Sequence, residues 1–285
     1  MNILVTGATG FIGSYFVRKY GLKNDIKTFS FLNDDFSSLK LEPFDTIVHL
    51  SALVHQMNGA NLSEYEKINV TQTLMLAKKA KASGVKQFIF MSSVKVYGEE
   101  RDRAYDEMSE CKPTDAYGIS KLKAEEELEK LSADTFNVAI IRTPIVYGFG
   151  VKANIRNLIS LVNKVPVLPF AGIKNKRSMV YVGNLCHLID TLVDKSIGGV
   201  FLASDDRPMS TTNLIELIAL ELNKKNYLIK VPFFRQLLKT LKPSFYQRLY
   251  GSLAINNKKT KELLGLTNPY SVEKGIQSMI YGEEK

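Results

Sequence analysis

The chain has 285 residues, of which 45% are hydrophobic and 24% charged, a balance typical of soluble globular proteins. Its net charge of +9 favours an acidic partner, such as a phosphate-bearing metabolite or an anionic membrane, and the lysines look scattered, which argues against nucleic acid. Two isolated cysteines, no apolar run of membrane-spanning length and no signal peptide favour a cytoplasmic protein.

The first predicted elements are a strand over 2–6, a glycine-rich loop, and a helix that runs to about residue 20. Gly7 permits a tight turn, Gly10 lets the backbone approach a phosphate, and Gly13 lets helix and strand pack closely. A strand, loop and helix in this order place a pyrophosphate at the helix N-terminus. The segment therefore predicts dinucleotide binding through Gly7, Thr9, Gly10, Phe11, Ile12 and Gly13.

A second strand is predicted over 26–31. Its end should carry an acid for a ribose hydroxyl or an arginine for a 2′-phosphate, but the phenylalanine, leucine and asparagine found there are neither. Asp34 and Asp35 come slightly late, and Asp35 is the candidate for the ribose. The link to the next strand, over 46–50, leaves little room for the usual extra strand and helix. NAD and NADP both stay open, with NAD slightly favoured.

The chain then continues the alternation of strands and helices. A helix is predicted over 64–83, a strand over 88–91, a helix from Tyr117 to about residue 131, and a strand over 138–142. On the last of these helices, three consecutive glutamates are expected to face solvent, namely Glu125, Glu126 and Glu127. This alternation predicts an α/β fold, a Rossmann-like doubly wound parallel sheet. Sites in such sheets lie at the carboxyl ends of strands, where the chain has Gly7, Ala52, Ser93 and Thr143.

Tyr117 and Lys121 are the candidates for chemistry in this sheet. They lie four residues apart, so both project from one face of their helix. Free tyrosine has a pKa near ~10, and a neighbouring ammonium is expected to lower it, which makes Tyr117 a proton donor or acceptor. Ser93 would hydrogen-bond the same substrate oxygen. Such a pair is often only a core residue beside a solvated one, but the glycine loop and Ser93 favour a catalytic site.

Together the motifs resemble the extended short-chain dehydrogenase/reductases, a superfamily of nucleotide-sugar epimerases, dehydratases and reductases. They occur in the family's order and are Gly7-x-x-Gly10-x-x-Gly13, His49-Leu50-Ser51-Ala52, Ser92-Ser93, Tyr97-Gly98, Tyr117-x-x-x-Lys121 and Arg142-x-x-x-Val146-Tyr147-Gly148. The resemblance implies a catalytic triad of Ser93, Tyr117 and Lys121, with Lys121 also holding the nicotinamide ribose. It also implies cofactor contacts from Leu50, Ser51, Ala52, Asn69 and Pro144, although Gln72 replaces the glycine usual near Asn69.

Three stretches narrow the activity that the resemblance implies. Dehydratases of the superfamily have Asp-Glu after the catalytic Ser or Thr, whereas this chain has Val94-Lys95, which argues against a dehydratase. Residues 142–154 and 175–185 resemble a bacterial branch that makes surface-polysaccharide precursors. The expected activity is a 4-epimerase of a UDP- or lipid-diphosphate-linked N-acetylhexosamine. A reductase of a UDP-4-keto-6-deoxy-N-acetylhexosamine is the first alternative, and a non-catalytic dinucleotide-binding regulator is the second alternative.

The resemblance also assigns the substrate side. Asn154 is expected near the diphosphate, and Arg177 is expected to pair with it, since a bidentate guanidinium suits a phosphate. The alternative for Arg177 is an ordinary surface arginine. The expected substrate-binding residues are Ser93, Lys95, Asn154 and Arg177. The expected domains are 1–150 for the dinucleotide, with 178–203 returning to it, and 151–177 with 204–285 as a smaller substrate-binding lobe.

Four further expectations concern the C-terminal region, metals and assembly. Thr211 or Thr212 should cap a helix that runs through residue 222. A basic amphipathic helix over 232–242 either packs on its own lobe or makes peripheral contact with a membrane. Neither His49 nor His55 has a partner at metal spacing, so no metal site is predicted. The resemblance implies a homodimer formed through the helix of Tyr117 and the long helix before it.

Overall fold

The structure, a computed structural model, describes residues 1–54, 61–98 and 103–282. Its strands are β1 (Asn2–Thr6), β2 (Asp25–Phe29), β3 (Thr46–His49), β4 (Gln87–Ser93), β5 (Asn137–Thr143), β6 (Ile145–Tyr147), β7 (Val167–Leu168), β8 (Met179–Tyr181), β9 (Gly199–Leu202) and β10 (Tyr227–Leu228). Its α-helices are α1 (Phe11–Tyr20), α2 (Leu62–Tyr65), α3 (Thr73–Ala82), α4 (Ala116–Glu129), α5 (Ala153–Lys164), α6 (Val182–Lys195), α7 (Thr211–Glu221), α8 (Phe234–Leu241), α9 (Pro243–Tyr250), α10 (Lys258–Leu264) and α11 (Val272–Tyr281). A π-helix (Glu66–Gln72) joins α2 to α3, and a 3₁₀-helix (Val94–Tyr97) follows β4.

Six strands form one parallel sheet in the order β2-β1-β3-β4-β5-β9. The order reverses between β1 and β3, which opens a crevice at the carboxyl ends of these strands. Two short parallel pairs lie apart from this sheet, β6 with β8 and β7 with β10. The predicted Rossmann-like α/β fold is therefore confirmed. No helix in the described part of the chain is both long and apolar enough to cross a membrane.

The central strands are buried along their whole length because both faces of the sheet are covered. Every residue of β3 and β4 is buried. Alternate side chains enter opposite cores, since the side-chain period of a strand is two. Ile3 and Ile89 belong to one hydrophobic cluster, whereas Leu4 and Phe88 belong to the other. Packing on both faces fixes the strand ends that carry the site.

The predicted short link between β2 and β3 is confirmed, because residues 30–45 contain neither helix nor strand. One local prediction was wrong. Ser210 caps α7 in place of Thr211 or Thr212, since the Ser210 hydroxyl accepts the backbone N–H of Asn213 at 3.0 Å.

The prediction that three glutamates of α4 all face solvent was wrong for Glu125. Its side chain is only 2% exposed and its carboxylate lies 2.6 Å from the Arg142 guanidinium of β5, which is itself 7% exposed. The same carboxylate accepts a hydrogen bond from the hydroxyl of Ser92. Glu126 is exposed and Glu127 is half-buried. A buried carboxylate needs hydrogen-bonding or charged partners, and those of Glu125 lie on strands β4 and β5 of the sheet.

Candidate active site

The glycine loop after β1 is shaped by close backbone contacts. Gly7 has a φ of +70°, and a Cβ there would lie 2.7 Å from the backbone nitrogen of Ser51. A Cβ at Gly13 would lie 2.3 Å from the carbonyl oxygen of Gly7. The backbone N–H of Gly10 donates to the same carbonyl at 2.9 Å. Gly7 and Gly13 are therefore required by geometry, as the dinucleotide motif predicts.

The start of α1 fits a pyrophosphate. Gly10 occupies the N-cap position with extended backbone and has no side chain to cap the helix. The first N–H groups of a helix lack intrahelical acceptors, and the helix dipole adds partial positive charge at this end. Thr9 and Gly10 are exposed, whereas Phe11 and Ile12 are half-buried. The loop therefore forms a small depression, here called the glycine cradle. A Cβ would fill this depression, and a phosphate can approach it.

Two aspartates follow β2 and differ in their contacts. The Asp34 carboxylate accepts the backbone N–H of Ser30, the residue directly after β2, at 2.7 Å. The Asp35 carboxylate accepts the hydroxyl and the backbone N–H of Ser37, at 2.6 and 2.9 Å. These hydrogen bonds lower the pKa of Asp35. Asp35 stays a prediction for the ribose, and Asp34 is a second candidate because it lies at the strand end.

Asn69 ties the loop after β3 to the helix that carries the tyrosine. It is fully buried in the π-helix, a form that is frequent at functional sites. Its Oδ1 accepts the N–H of Leu53 at 2.8 Å, and its Nδ2 donates to the Leu53 carbonyl and the Ser120 hydroxyl, both at 3.0 Å. Asn69 thereby fixes the loop that begins with the predicted cofactor residues Leu50, Ser51 and Ala52.

Ser93 and Tyr117 are brought close enough for the Ser93 hydroxyl to influence the pKa of Tyr117. Ser93 ends β4, and its hydroxyl also accepts the backbone N–H of Lys95 at 3.2 Å. Tyr117 lies in the first turn of α4, which Asp115 caps by accepting the N–H of Gly118 at 2.7 Å. The cap of α4 and the end of β4 thus place the two hydroxyl groups of the predicted triad near each other.

Burial raises the pKa of Tyr117 to about 12, and the nearby Ser93 hydroxyl lowers it only in part. The prediction that Lys121 lowers this pKa was therefore wrong for this structure. The Lys121 ammonium instead donates to the carbonyl of Met91 on β4 at 2.8 Å. It also lies 4.5 Å from the centre of the Phe90 ring. Desolvation is therefore the largest influence on the pKa of Tyr117.

Lys121 has a perturbed pKa of its own. The side chain is almost fully buried, and this burial lowers the pKa to about 7, while the carboxylate of Glu125 opposes the shift. A lysine near half protonation at neutral pH is typical of functional sites rather than of solvated surfaces. Through its bond to Met91, Lys121 contacts β4 two residues before Ser93, the last residue of that strand.

A buried network that sequence reasoning missed fastens α4 to the sheet. The Arg142 guanidinium donates to Glu125 through Nε at 3.1 Å and Nη2 at 2.6 Å. Its Nη1 donates to the Tyr97 hydroxyl at 3.1 Å, and that hydroxyl donates to the carbonyl of Asp106 at 2.8 Å. The available signal was the spacing of four residues between Lys121 and Glu125, which puts both on one helix face.

A cavity of 310 Å³ lies among α5, α7 and α9 and is lined by both predicted diphosphate residues. Asn154 is exposed there and accepts a hydrogen bond from Arg248 at 3.2 Å. The Arg177 guanidinium donates to the carbonyls of Gly251 and Gln247, at 3.0 and 2.7 Å. Arg177 is thus held by α9 and is not a loose surface arginine. Arg248 also lines the cavity, and no motif in the sequence pointed to it.

Two other predicted residues have clear positions. The Lys95 ammonium lies 3.3 Å from the carboxylate of Asp115, the cap of α4, and is about half exposed. Pro144 is buried between β5 and β6. Their roles toward substrate and cofactor stay predictions.

His49 is a core histidine. Its Nδ1 lies 2.7 Å from the Thr6 hydroxyl and its Nε2 lies 2.9 Å from the Thr73 hydroxyl. Burial lowers its pKa to about 3, so the ring is neutral. His55 lies outside the described residues. Within the described ranges, no group of three or more His, Cys, Asp or Glu side chains could hold a metal ion.

A parallel sheet that presents a glycine cradle and a serine, tyrosine and lysine at its carboxyl edge is the arrangement of an extended short-chain dehydrogenase/reductase. Comparison with known proteins defines the family further. The chain belongs to the NAD dependent epimerase/dehydratase family, whose sequence profile matches residues 3–202. It is therefore an NAD(P)-dependent enzyme of the epimerase or reductase type, which confirms the predicted enzyme class and cofactor.

Two relatives and one solved structure illustrate the similarity. The chain is 37% identical to UDP-glucose 4-epimerase of Vibrio cholerae, over 97% of this chain and 93% of that protein. It is 28% identical to N-acetyl-alpha-D-glucosaminyl-diphospho-ditrans,octacis-undecaprenol 4-epimerase of Escherichia coli O157:H7, over 81% and 76%. The structure of UDP-glucuronic acid 4-epimerase from Bacillus cereus in complex with NAD superposes with a TM-score of 0.80 at 21% identity, covering 99% and 98%. This last match concerns the fold.

Proposed function

We propose that the protein is a nucleotide-sugar epimerase that acts at C4 of a UDP- or lipid-diphosphate-linked N-acetylhexosamine, through a transient 4-keto sugar. Ser93 ends β4 beside Tyr117, and Lys121, one helical turn further along α4, donates to the Met91 carbonyl of the same strand. This convergence of the three side chains on the carboxyl end of β4 carries the proposal. The two named relatives are both 4-epimerases, which supports reaction at C4. One acts on UDP-glucose by its name and the other on a lipid-linked N-acetylglucosamine, so both sugars enter the test.

In the proposed mechanism, Tyr117 is the acid and base. Its phenolate takes the proton of the C4 hydroxyl and later returns it to the same oxygen. Ser93 donates a hydrogen bond to that oxygen, and Lys121 binds the nicotinamide ribose. When bound, the nicotinamide would supply the acceptor and donor for the hydride of C4, so that epimerisation needs no other redox partner. Because burial raises the pKa of Tyr117, a positive charge close to the phenol is needed to form the phenolate at neutral pH.

The remaining residue roles belong to the same proposal. The dinucleotide, NAD slightly in preference to NADP, is held by Gly7, Thr9, Gly10, Phe11, Ile12, Gly13, Asp35, Leu50, Ser51, Ala52, Asn69, Tyr117, Lys121 and Pro144. The sugar substrate is held by Ser93, Lys95, Asn154 and Arg177. Residues 1–150 with 178–203 form the dinucleotide domain, and 151–177 with 204–285 form the substrate lobe. The cavity that both Asn154 and Arg177 line supports this division.

We further propose a cytoplasmic homodimer that contacts a membrane peripherally through residues 232–242. The dimer forms through α4 and the long helix made of α2, the π-helix and α3. Ile119 on α4 and Met75 on α3 support this contact, because both side chains are nearly half exposed. Such a contact is isologous. Sedimentation of the variant Ile119→Arg tests it, and an unchanged dimer would contradict the proposed interface.

The decisive assay is incubation of the enzyme and NAD with UDP-N-acetylglucosamine, followed by chromatographic separation of UDP-N-acetylgalactosamine. UDP-glucose is tested in parallel because of the Vibrio relative. Formation of either C4 epimer supports the epimerase, and the faster substrate identifies the sugar. Tyr117→Phe should lower kcat by about 10²- to 10⁴-fold. Wild-type kcat in that variant would contradict the assigned acid and base.

The alternative function is an NAD(P)H-dependent reductase of a UDP-4-keto-6-deoxy-N-acetylhexosamine, which uses the same three residues for one hydride transfer. No C4 epimer from either UDP-sugar, together with consumption of NAD(P)H on the 4-keto substrate, would replace the epimerase with this reductase. The nicotinamide absorbance of the purified protein is a second readout. Cofactor that survives purification favours the epimerase. Cofactor binding without turnover in any of these assays favours the non-catalytic regulator.

A further inference from the structure

The positive charge of the chain is concentrated in one segment. Of the 38 Lys and Arg residues, ten lie within residues 222–261, whereas none of the 29 Asp and Glu residues do. The remaining 28 basic and 29 acidic residues nearly cancel over the other 245 positions. The expectation that the lysines are scattered was therefore wrong. The segment forms β10, α8, α9 and the first turn of α10.

Within this segment, α8 has two apolar faces. Phe234 and Leu238 pack against the main hydrophobic core and anchor the helix. Phe233, Leu237 and Leu241 instead have 80%, 54% and 68% of their surface exposed. These three residues are here called the apolar stripe. Leu237 and Leu241 lie one turn apart on one side of the helix, and Phe233, the residue before the helix, precedes them at the same interval of four. Packing of α8 on its own lobe accounts for the anchoring pair but not for the stripe.

The backbone at Phe233 adds a second observation. Its φ of +59° lies in the left-handed region, which is a genuine outlier for a bulky side chain. Strain of this kind persists where the surrounding structure imposes it, and it clusters at functional positions. The fold therefore holds an aromatic ring in solvent at the start of the stripe, in a conformation that most side chains avoid.

Basic groups accompany the stripe. Arg235 and Lys239 belong to α8, and Lys242 follows its last turn. Lys174, Lys230 and Arg235 also line a cavity of 530 Å³ beside the helix. An amphipathic helix with aromatic and leucine side chains on one side and lysine and arginine around it is typical of interfacial membrane binding. A basic cavity next to it suits the phosphate of a lipid headgroup.

We propose that α8 and its flanking basic groups dock on the anionic surface of a lipid bilayer. The apolar stripe enters the boundary between headgroups and acyl chains, and the surrounding lysines and arginines contact the phosphates. This inference develops the proposed peripheral location and does not depend on which sugar is converted. A second copy of the chain is the less suitable occupant, because an isologous contact would bring two of these positive segments together.

Flotation of the full-length protein with liposomes tests the proposal. One set of vesicles contains phosphatidylcholine alone, and the other contains about 30% phosphatidylglycerol by design. The stripe variant combines Phe233→Asn, Leu237→Gln and Leu241→Gln. Its matched control removes three equally exposed leucines elsewhere, by Leu22→Gln, Leu220→Gln and Leu263→Gln. The charge variant combines Lys230→Gln, Lys239→Gln and Lys242→Gln, and its matched control combines Lys19→Gln, Lys40→Gln and Lys78→Gln.

We expect the wild type to float with anionic vesicles and to stay behind with neutral ones. The stripe variant should lose at least about tenfold in the partition coefficient. The partition coefficient of the charge variant should fall about 100-fold, because each of its three removed basic residues contributes about fivefold near the surface. Both controls should float like the wild type. Wild-type protein left at the bottom with anionic vesicles, or variants that float as well as their controls, would overturn the proposal.

Two measurements on the same preparations distinguish membrane docking from misfolding and from self-association. Circular dichroism shows whether each variant is folded, and the C4-epimerase assay with soluble UDP-sugars reports the proposed reaction independently. The stripe and charge variants should keep wild-type turnover on soluble substrate. If the stripe variant instead changes the sedimentation coefficient while no protein floats, the surface is an interface between copies and membrane docking is wrong.

Discussion

The substitution Glu125→Gln tests the buried network beneath the proposed active site. It removes one charge of the ion pair while keeping the size of the side chain. The guanidinium of Arg142 would then stay buried at 7% exposure without its counter-charge. Breaking a buried pair in this way costs about 3 to 5 kcal/mol of unfolding free energy. At about 2 to 4 °C per kcal/mol for a chain of this size class, the melting temperature should fall by about 6 to 20 °C.

The assay is thermal and urea unfolding followed by circular dichroism, with Glu126→Gln as the matched control. The control makes the same chemical change at the neighbouring position, where the side chain is exposed. Its unfolding free energy should stay within about 0.5 kcal/mol of the wild type, as for most surface substitutions. Equal midpoints for the two variants would refute the reasoning, because burial would then not distinguish the glutamates.

The other predictions concern the cofactor side and the cavity. The pKa of Lys121 is about 7 in the folded protein and near 10.5 when unfolded, so between these values the unfolded chain binds the extra proton. The free energy of unfolding should therefore rise with pH across this window, by about 5 kcal/mol at most. Urea titrations of the nucleotide-free wild type should show this rise, and those of Lys121→Met should lack it. Gly13→Ala should abolish cofactor binding measured by calorimetry, because its Cβ would meet a backbone oxygen. The control Gly265→Asn should bind the cofactor normally, because the space at Gly265 is open and asparagine tolerates its left-handed backbone. Asn154→Ala should raise KM with little change in melting temperature, because Asn154 makes a single exposed hydrogen bond to Arg248 of α9. Arg177→Gln should raise KM and also lower the melting temperature, because Arg177 holds the end of α9 through two backbone carbonyls.

The parts of the fold and site that the sequence predicts well are those set by local rules. Gly7 and Gly13 follow from a short motif whose steric reason is contained in a single strand, loop and helix. Ser93 follows from a strand that ends in small polar residues, and the parallel sheet then brings strand ends to one edge. These features need no knowledge of distant partners, so the glycine cradle and the strand ends were found without the structure.

The features that were missed depend on partners far away in the chain. Glu125 looked solvated because it stands among three consecutive glutamates, yet its position on α4 repeats the four-residue step from Tyr117 to Lys121. Its partner Arg142 lies on β5, and nothing in the sequence states that α4 covers that strand. The pKa of Tyr117 was missed for the same reason, since it depends on burial and on where the Lys121 ammonium points.

The net charge shows how an average can mislead about function. A chain of +9 suggested an acidic partner for the whole protein, and a phosphate-bearing substrate seemed to satisfy it. The residues outside 222–261, however, have almost no net charge. The proposed dinucleotide domain consists entirely of such residues. Of the two basic residues that line the proposed diphosphate cavity, Arg248 comes from the basic segment and Arg177 does not. The excess charge is therefore not explained by substrate binding. Four of the ten basic residues, namely Lys230, Arg235, Lys239 and Lys242, lie in α8 or within four residues of it. An anionic surface at α8 accounts for both this charge and the exposed apolar side chains.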